Sequence, residues 1–520
     1  IAGQHHHFKQ GIYRFAPDVS AFEFLSRTSN NTWGLGFTEN NDVFASTANN
    51  THSVFMGIPD RLAAGVEGIP LGSAKIDGHY AMHPVTDKVR QVDVFGGFTA
   101  ASGHNFYTAR SYPEKYWNRA AFVSEPTGHL VHVAWIEKDG AGFVEKNGGN
   151  LFASADEWVS PVEAKVGPDG AVWVLDWYNF IIQHNPTPTP ERGGYEAENG
   201  EGNAYENPLR DKSHGRVWRV VYKNAKPYEP VQLSKDNPDD LVDALYNENM
   251  FWRITAQRLL VERGRRDVLP ELYDLVKQSN NNGSGHFAAI HALWTIHGLG
   301  AINEDREADK VVVGALKHSA PAVRKAGIQI LPRDEWGNHA IIRSNVINDA
   351  DANIRLAAIL ALAEMQPSES IGRMLYELSK EKTIEEDKWL SKAVYSAASR
   401  HQKGFMTAFL KEHPHFKGEE AAEDSASLAE VFAFCAWRVA FAPGARCSSS
   451  RRSSPSGRAA RDPSRRQGRC ARHPCASDRR APGRRRRRVG AAGRHAGPSS
   501  ATTSPASTER SRFRTTGTPS

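Results

Sequence analysis

The sequence predicts a multidomain β + α chain whose three parts differ in composition. Residues 1–225 hold short strand-like runs between turn signals, which predicts part of a β-propeller. Residues 236–432 repeat a helical hydrophobic register, which predicts an α-solenoid of HEAT-like repeats. Residues 433–520 are predicted to be a disordered Arg-rich tail, because the chain after Arg446 has almost no apolar side chains. The overall content of 40% hydrophobic and 24% charged residues excludes a collagen-like, coiled-coil or wholly disordered chain.

The propeller prediction depends on a strand–turn–strand unit that occurs twice, over residues 35–50 and 164–179. In both units the second strand starts six residues after the first strand ends, and an Asn lies seven residues after the start of the second strand. The turns, residues 39–42 and 167–170, are rich in Asn, Asp, Gly and Pro, as tight hairpins require. A β-sandwich would also contain hairpins, but with more evenly spaced strands. Further strands are predicted at Gly11–Phe15 and at residues 21–25, 120–124 and 215–222, the last two as additional blade edges.

The helical part starts at Asn237-Pro238, a cap residue followed by a proline suited to a first helical turn. The same pattern of small and apolar residues then recurs from four starting points, Arg253, His286, Arg324 and Arg355. Small residues at every third or fourth place let neighbouring helices pack closely, and recurrence at a fixed register favours a solenoid over an ordinary helical bundle. We therefore expect four to five helix pairs that form a docking surface.

The charge of the chain is unevenly distributed. The protein has 65 basic and 59 acidic side chains, yet the segment from Arg446 onward holds 20 Arg, no Lys and three acids, so the rest of the chain is acidic. A basic tail of this kind fits a nucleic-acid-binding arm. Its Arg, Ala, Pro, Ser and Gly composition also fits a GC-rich coding strand translated out of frame, which is our interpretation. We expect no nucleic-acid partner because the body is acidic.

Cysteine usage excludes several kinds of site. The four cysteines are Cys435, Cys447, Cys470 and Cys475, so the body needs no disulfide and offers no thiolate metal site. No Cys-x-x-Cys-His sequence exists, so the chain has no covalent c-type haem site, and no G-x-G-x-x-G pattern predicts NAD or FAD binding. The chain begins at Ile1 without Met or a signal segment, and we expect it to be a fragment.

Several motifs resemble a bacterial family described as membrane-bound dehydrogenases. The motifs are NTWGLGF at residues 31–37, TDKVRQVD at 86–93, SEPTGHL at 124–130, VGPDG through DWYN at 166–179 and LRDKSHGR at 209–216. The resemblance covers about residues 11–430. It implies the C-terminal part of a six-bladed propeller similar to glucose/sorbosone dehydrogenases, followed by HEAT-like repeats and often accompanied by a c-type cytochrome domain.

Two short motifs supply candidate binding residues. Glu125 and His129 lie in a Gly turn after a strand, where a carboxylate and an imidazole could bind a divalent ion or a sugar hydroxyl. Asp176 and Asn179 offer two oxygen ligands beside two aromatic residues, which suits a sugar or calcium. We therefore expect cofactor contacts at these four residues and calcium at Glu125 and Asp176. The alternative is that Glu125 ties its loop, His129 packs and Asp176 caps a turn.

Three other features are weaker candidates. His104 follows a Gly in a loop and is a candidate general base. Arg216 is a candidate cofactor contact, with an internal salt bridge as the alternative. The long loop at residues 183–213 could cover the site. His5, His6 and His7 lack ligand spacing and are expected to form a loop.

The resemblance implies an exported quinoprotein-like dehydrogenase, periplasmic or membrane-associated, that oxidises a sugar or related alcohol or aldehyde. Pyrroloquinoline quinone and calcium would be the cofactors, and a c-type cytochrome or another acceptor would take the electrons. The general base cannot be assigned, since in the sugar dehydrogenases it comes from an early blade, so we expect this fragment to be inactive. The alternative is a non-catalytic propeller–solenoid scaffold that binds carbohydrate or a partner protein.

Overall fold

The structure is a computed structural model with a mixed β/α fold. It describes residues 10–49, 51–89, 96–180, 182, 198–199, 205–206, 211–278 and 285–414, which belong to one compact unit. The predictions for His5 to His7, for the four cysteines, for the tail at 433–520 and for most of the loop at 183–213 lie outside these residues.

The strands of the described residues form antiparallel sheets. The sheet orders are β1-β2, β3-β4-β5-β6, β7-β8-β9-β10, β11-β12-β15 and β13-β14. The strands are β1 (Gly11–Phe15), β2 (Phe22–Arg27), β3 (Thr32–Phe37), β4 (Val43–Thr47), β5 (Thr51–Phe55), β6 (Ala74–Lys75), β7 (Ser102–Phe106), β8 (Ala120–Glu125), β9 (Leu130–Asp139), β10 (Gly142–Ala153), β11 (Pro161–Val166), β12 (Val172–Asp176), β13 (Glu198–Asn199), β14 (Tyr205–Glu206) and β15 (Arg216–Val220).

The predicted hairpins are confirmed. The first unit forms β3 and β4, the second forms β11 and β12, and β1 has the predicted bounds. The strand predicted at residues 215–222 exists as β15, but the expectation that it is the edge of an additional blade is wrong. It pairs with β12, with Val174 opposite Trp218, and completes the sheet that β11 and β12 begin.

The first strands of three successive sheets lie beside one another. β3 packs against β7, and β7 packs against β11. This close approach requires glycine, because a Cβ atom at Gly34 or Gly36 would overlap the backbone of Gly103 or His104 on β7. Within the described residues the sheets do not close into a ring.

The helices pack in an ordered row. α3 packs on α5, α5 on α7, α7 on α9 and α9 on α12, and the four predicted registers fall on α3, α5, α7 and α9. The helices are α1 (Asp60–Ala63), α2 (Pro238–Asp243), α3 (Met250–Arg263), α4 (Leu269–Gln278), α5 (Gly285–Gly298), α6 (Arg306–Ala315), α7 (Pro321–Ile330), α8 (Glu335–Ser344), α9 (Ala352–Ala363), α10 (Glu369–Ser379), α11 (Lys382–Glu385), α12 (Lys388–Arg400) and α13 (Gln402–Glu412). None of these described helices has the length and apolar character needed to cross a membrane.

The sheets and helices share one hydrophobic core. Trp389 of α12 meets Phe55 of β5 edge-on at 5.1 Å between ring centroids, and Phe55 meets Phe143 of β10 at 4.9 Å. These rings belong to the same buried cluster as the apolar faces of α3 to α12.

Buried ion pairs join the β3–β4 turn to the helices. The Glu39 carboxylate accepts from Nη2 of Arg110 at 2.9 Å and also from the guanidinium of Arg253 on α3, which is fully buried. In the same turn, Asp42 accepts from the ammonium group of Lys325 on α7. The hairpin turn therefore links the first large sheet to the helical row.

Replacing Glu39 with Gln should strongly destabilise the protein. The Glu39→Gln variant leaves the guanidinium groups of Arg110 and Arg253 without a carboxylate in a buried place, which typically costs about 3–5 kcal/mol. The free energy of unfolding in urea measures this loss. The exposed Glu67→Gln variant is the control, and equal stability of the two variants would contradict the proposed role of Glu39.

Acid should destabilise the fold partly through His291 on α5. Burial lowers the pKa of His291 to about 3, and the nearby Arg253 charge acts in the same direction. A depressed folded-state pKa gives stability that is present above about pH 6.5 and is lost as pH falls. Between pH 7 and pH 5 the expected loss from this group is about 2 kcal/mol.

Urea unfolding at the two pH values tests this contribution. The His291→Gln variant should show a smaller difference in unfolding free energy between pH 7 and pH 5 than the wild type, whatever its absolute stability. The His339→Gln variant, altered at an exposed position, should keep the wild-type difference. An unchanged pH dependence in His291→Gln would exclude His291 as a source.

Candidate functional site

Glu125 lies at the end of β8 and is completely buried. One carboxylate oxygen accepts from the backbone N–H groups of Thr99 at 3.0 Å and Ala100 at 2.9 Å. The other accepts from the N–H and the hydroxyl of Thr127. Burial raises the pKa of Glu125 to about 7, although these hydrogen bonds act in the opposite direction. All four acceptor positions of the carboxylate are used within the protein.

Asp176 occupies the matching place at the end of β12. Its Oδ1 accepts from the N–H groups of Ser160 at 2.8 Å and Tyr178 at 2.9 Å. Its Oδ2 accepts from Nε of Arg216 at 2.7 Å and Nε1 of Trp218 at 2.9 Å. As arranged, neither carboxylate has a free oxygen position for calcium, so Glu125 and Asp176 do not fit the ion as ligands.

The two carboxylates make the same tie in successive sheets. Each ends the second strand of its sheet and accepts from the N–H two residues later. Each also accepts from backbone N–H groups just before the first strand of the same sheet, two for Glu125 and one for Asp176. This geometry matches the alternative interpretation in which the two carboxylates hold turns.

His129, Asn179 and Arg216 lie along the same edge. His129 has a left-handed backbone with φ of 57°, and its Nδ1 is 2.7 Å from the carbonyl oxygen of Val159. The Asn179 amide donates to the carbonyl oxygen of Asp211 at 2.8 Å. The Arg216 guanidinium carbon is 4.4 Å from the centroid of the Tyr178 ring, and its Nη2 is buried with no hydrogen-bond partner. Arg216 is therefore the predicted contact residue that retains a free donor.

His104 lies on β7 and is fully buried. Its Nε2 is 2.6 Å from the Ser53 hydroxyl, and its ring stacks on Phe44 at 5.5 Å. Burial lowers the pKa of His104 to about 3, so its imidazole is neutral at physiological pH. A general base must contact its substrate, and the His104 ring has no exposed surface through which a substrate could reach it.

A cluster of three histidines and one glutamate lies between the two four-stranded sheets. We call it the His₃Glu cluster: His52 on β5, His79 after β6, His132 on β9 and Glu145 on β10. One donor atom from each residue lies within 4.8 Å of the others. The side chains of His52, His132 and Glu145 are at most 1% exposed, and that of His79 is 15% exposed.

The imidazoles surround the carboxylate. Oε1 of Glu145 is 3.3 Å from Nε2 of both His79 and His132, and its Oε2 is 3.4 Å from Nε2 of His52. Burial acts to raise the pKa of Glu145, but the three imidazoles outweigh it and hold this pKa well below its usual range. Burial lowers the pKa of His132 to about 4. Glu145 is therefore ionised and His132 neutral at physiological pH.

Groups behind the cluster orient two of its rings. Nδ1 of His52 is 3.4 Å from Oδ2 of Asp77, and Asp77 also accepts from the backbone N–H of Ser53 at 2.7 Å. Nδ1 of His79 is 2.9 Å from the carbonyl oxygen of Ala81. In both residues Nδ1 faces an acceptor, so Nε2 is the nitrogen directed toward the cluster. Imidazole and carboxylate groups held in this way are suited to a transition metal ion.

Sequence reasoning missed this cluster because its members are far apart along the chain and on different strands. The one local signal was that His132 and Glu145 lie on the two strands of the same hairpin, β9 and β10. That spacing has no metal-binding signature until the sheets are assembled.

The comparisons with known proteins give a family model without a named function. A domain of unknown function, DUF7133, matches residues 1–224. No curated protein matches the chain. A solved structure described as an oxidoreductase (glucose dehydrogenase) from Thermus thermophilus is similar at 16% identity with a TM-score of 0.22. The match covers 38% of this chain and 47% of that one.

Replacing Asp176 with Asn should destabilise the β11–β12–β15 sheet. The amide can no longer accept from all four donors, and the loss of such bonds to a buried carboxylate costs on the order of 1–3 kcal/mol. Thermal or urea unfolding measures the change. The Asp139→Asn control, whose partner Lys388 is 3.4 Å away at an exposed place, should change stability by less than about 0.5 kcal/mol. If the Asp176→Asn variant were as stable as the wild type, the hydrogen bonds of the Asp176 carboxylate would not be needed to hold the sheet.

Proposed function

We propose that the sheets found within residues 1–225 are blades from the C-terminal part of a β-propeller in an exported oxidoreductase of the glucose/sorbosone dehydrogenase-like type. The observation that carries this proposal is the repetition of sheets. Three antiparallel sheets follow one another along the chain, and their first strands β3, β7 and β11 lie side by side, as inner strands do in a propeller. The repeated carboxylate tie at Glu125 and Asp176 supports the same arrangement.

The oxidoreductase part of this proposal comes from the motifs, since a fold alone does not determine a reaction. We propose a sugar or related alcohol or aldehyde as substrate, pyrroloquinoline quinone as cofactor, and a c-type cytochrome or other acceptor for the electrons. The resemblance implies a bound calcium ion, but the carboxylates of Glu125 and Asp176 have no free oxygen position with which to bind it. The Arg216 side chain is 28% exposed, and its guanidinium suits an oxygen of an anionic quinone.

We also propose that the helical row is a solenoid that docks a partner protein. Successive helices α3, α5, α7 and α9 carry one sequence register each and pack in chain order, which is the arrangement of repeat proteins. The shared core fixes this row against the sheets, so a partner docked on it would be held at a set position.

A second candidate function is a non-catalytic scaffold that binds carbohydrate or protein. The observation that favours it is the complete use of both candidate ligand carboxylates inside the protein. Quinone binding separates the two proposals.

The chain should bind pyrroloquinoline quinone, and Arg216 should contribute to the affinity. Quenching of tryptophan fluorescence during a quinone titration, with calcium and with chelator, measures the dissociation constant. The Arg216→Lys variant keeps a positive charge beside Asp176 but loses the planar donor set, so binding should weaken by about tenfold or more.

The Arg219→Lys variant is the matched control. Arg219 lies on β15, the same strand as Arg216, its side chain is half exposed, and it forms an ion pair with Asp169. It should bind the quinone like the wild type. A folded wild-type chain that shows no saturable quinone binding would contradict the oxidoreductase proposal and leave the scaffold.

A further inference from the structure

We propose that the His₃Glu cluster binds one divalent transition metal ion, with zinc as the best match to its donors. The ligands would be Nε2 of His52, His79 and His132 and a carboxylate oxygen of Glu145. This inference depends on neither the quinone nor the propeller assignment.

Several of the donor atoms are spaced as the ligands of a tetrahedral ion are. With metal–ligand distances of about 2.0–2.1 Å, the ligands of a tetrahedral ion lie about 3.3–3.4 Å from one another. Three separations in the cluster are 3.3 Å for His79 Nε2 to His132 Nε2, 3.3 Å for His132 Nε2 to Glu145 Oε1 and 3.4 Å for His52 Nε2 to the other carboxylate oxygen, Oε2. One donor atom from each of the four residues lies within 4.8 Å of the others, so small side-chain shifts would bring all four to one ion.

A buried nitrogen without a hydrogen bond gives independent support. Nε2 of His52 is buried and has no hydrogen-bond partner, although it points at Glu145 from 3.4 Å. A buried polar atom left in this state costs free energy unless something else satisfies it. Since Asp77 faces Nδ1 of the same ring, Nε2 is left with its lone pair directed into the cluster, which is the arrangement of a metal-bound histidine.

The packing around the carboxylate also suits a bound cation. The three imidazoles surround Glu145 with ring centroids 4.7–5.3 Å apart, and the carboxylate of Asp77 lies directly behind His52. One divalent ion would join the three imidazoles and the Glu145 carboxylate, with Asp77 as the group that orients a ligand ring.

The position of the cluster indicates a closed, structural site. β5 and the segment after β6 supply two ligands, and β9 and β10 of the next sheet supply the others. Phe98 stacks on His52 at 4.1 Å and covers the cluster, so only His79 reaches solvent. Four protein ligands with little exposure match structural zinc, which usually has no open position. The ion would therefore cross-link the two four-stranded sheets.

Cobalt and zinc binding by the full chain, produced without a histidine tag, tests the proposal. Chelator-treated wild-type protein should bind one Co²⁺ per chain with the intense visible bands of a tetrahedral ion, and Zn²⁺ should displace it. Zinc should also raise the melting temperature. His79→Gln and Glu145→Gln should each weaken cobalt binding by at least tenfold and lose most of the zinc-dependent rise.

The His83→Gln variant is the control, because the ring of His83 is exposed and 6.2 Å from that of His79 but is not a ligand. It should bind cobalt like the wild type. His79 is the most exposed ligand, so its variant keeps the test valid if Glu145→Gln fails to fold. Folded wild-type protein without stoichiometric cobalt binding would overturn the proposal, as would an equal loss in His83→Gln.

Discussion

The carboxylate of Glu39 between the guanidinium groups of Arg110 and Arg253 is the interaction on which the architecture depends. Glu39 and the fully buried Arg253 lie on different parts of the chain, the β3–β4 turn and α3, and their charges are satisfied only when the sheet and the helices meet. A buried ion pair adds little net stability compared with apolar packing, but an unpaired partner is very unfavourable. The pair therefore specifies one docking arrangement, and Asp42 with Lys325 on α7 specifies it a second time.

Residues that look like a ligand set in the sequence can serve the fold instead. Glu125 and Asp176 have the residue type and strand-end position of metal ligands, yet each carboxylate is filled by four donors from its own chain. The His₃Glu cluster shows the reverse case. Its members have no recognisable spacing, but the packing of two sheets leaves a histidine nitrogen buried and without a hydrogen bond. A structural carboxylate and a metal ligand are therefore distinguished by whether their polar atoms lack hydrogen-bond partners in the folded protein, and not by the sequence motif in which they occur.

The sequence predicted those features that depend on neighbouring residues. Hairpin turns and the register on α3, α5, α7 and α9 are set by local turn chemistry and helical periodicity, and these predictions were confirmed. The pairing of β15 with β12 was missed because about forty residues separate them. The cluster was missed for the same reason, since His52 and His132 meet only across two sheets. The roles of His129, Asn179 and Arg216 in cofactor binding stay predictions.

The ring of Trp389 has a consequence for how this protein can change over time. Backbone atoms of Gly57 and Gly142 lie against the ring, so that a methyl group at either glycine would overlap it. The packing of a helix of the repeat row thus depends on one glycine just after β5 and one at the start of β10. Solenoid repeats usually gain and lose units freely, but here a duplication or deletion that moved α12 would also require compensating substitutions in segments about 250 and 330 residues away. The two architectures must therefore diverge together, as one inherited unit.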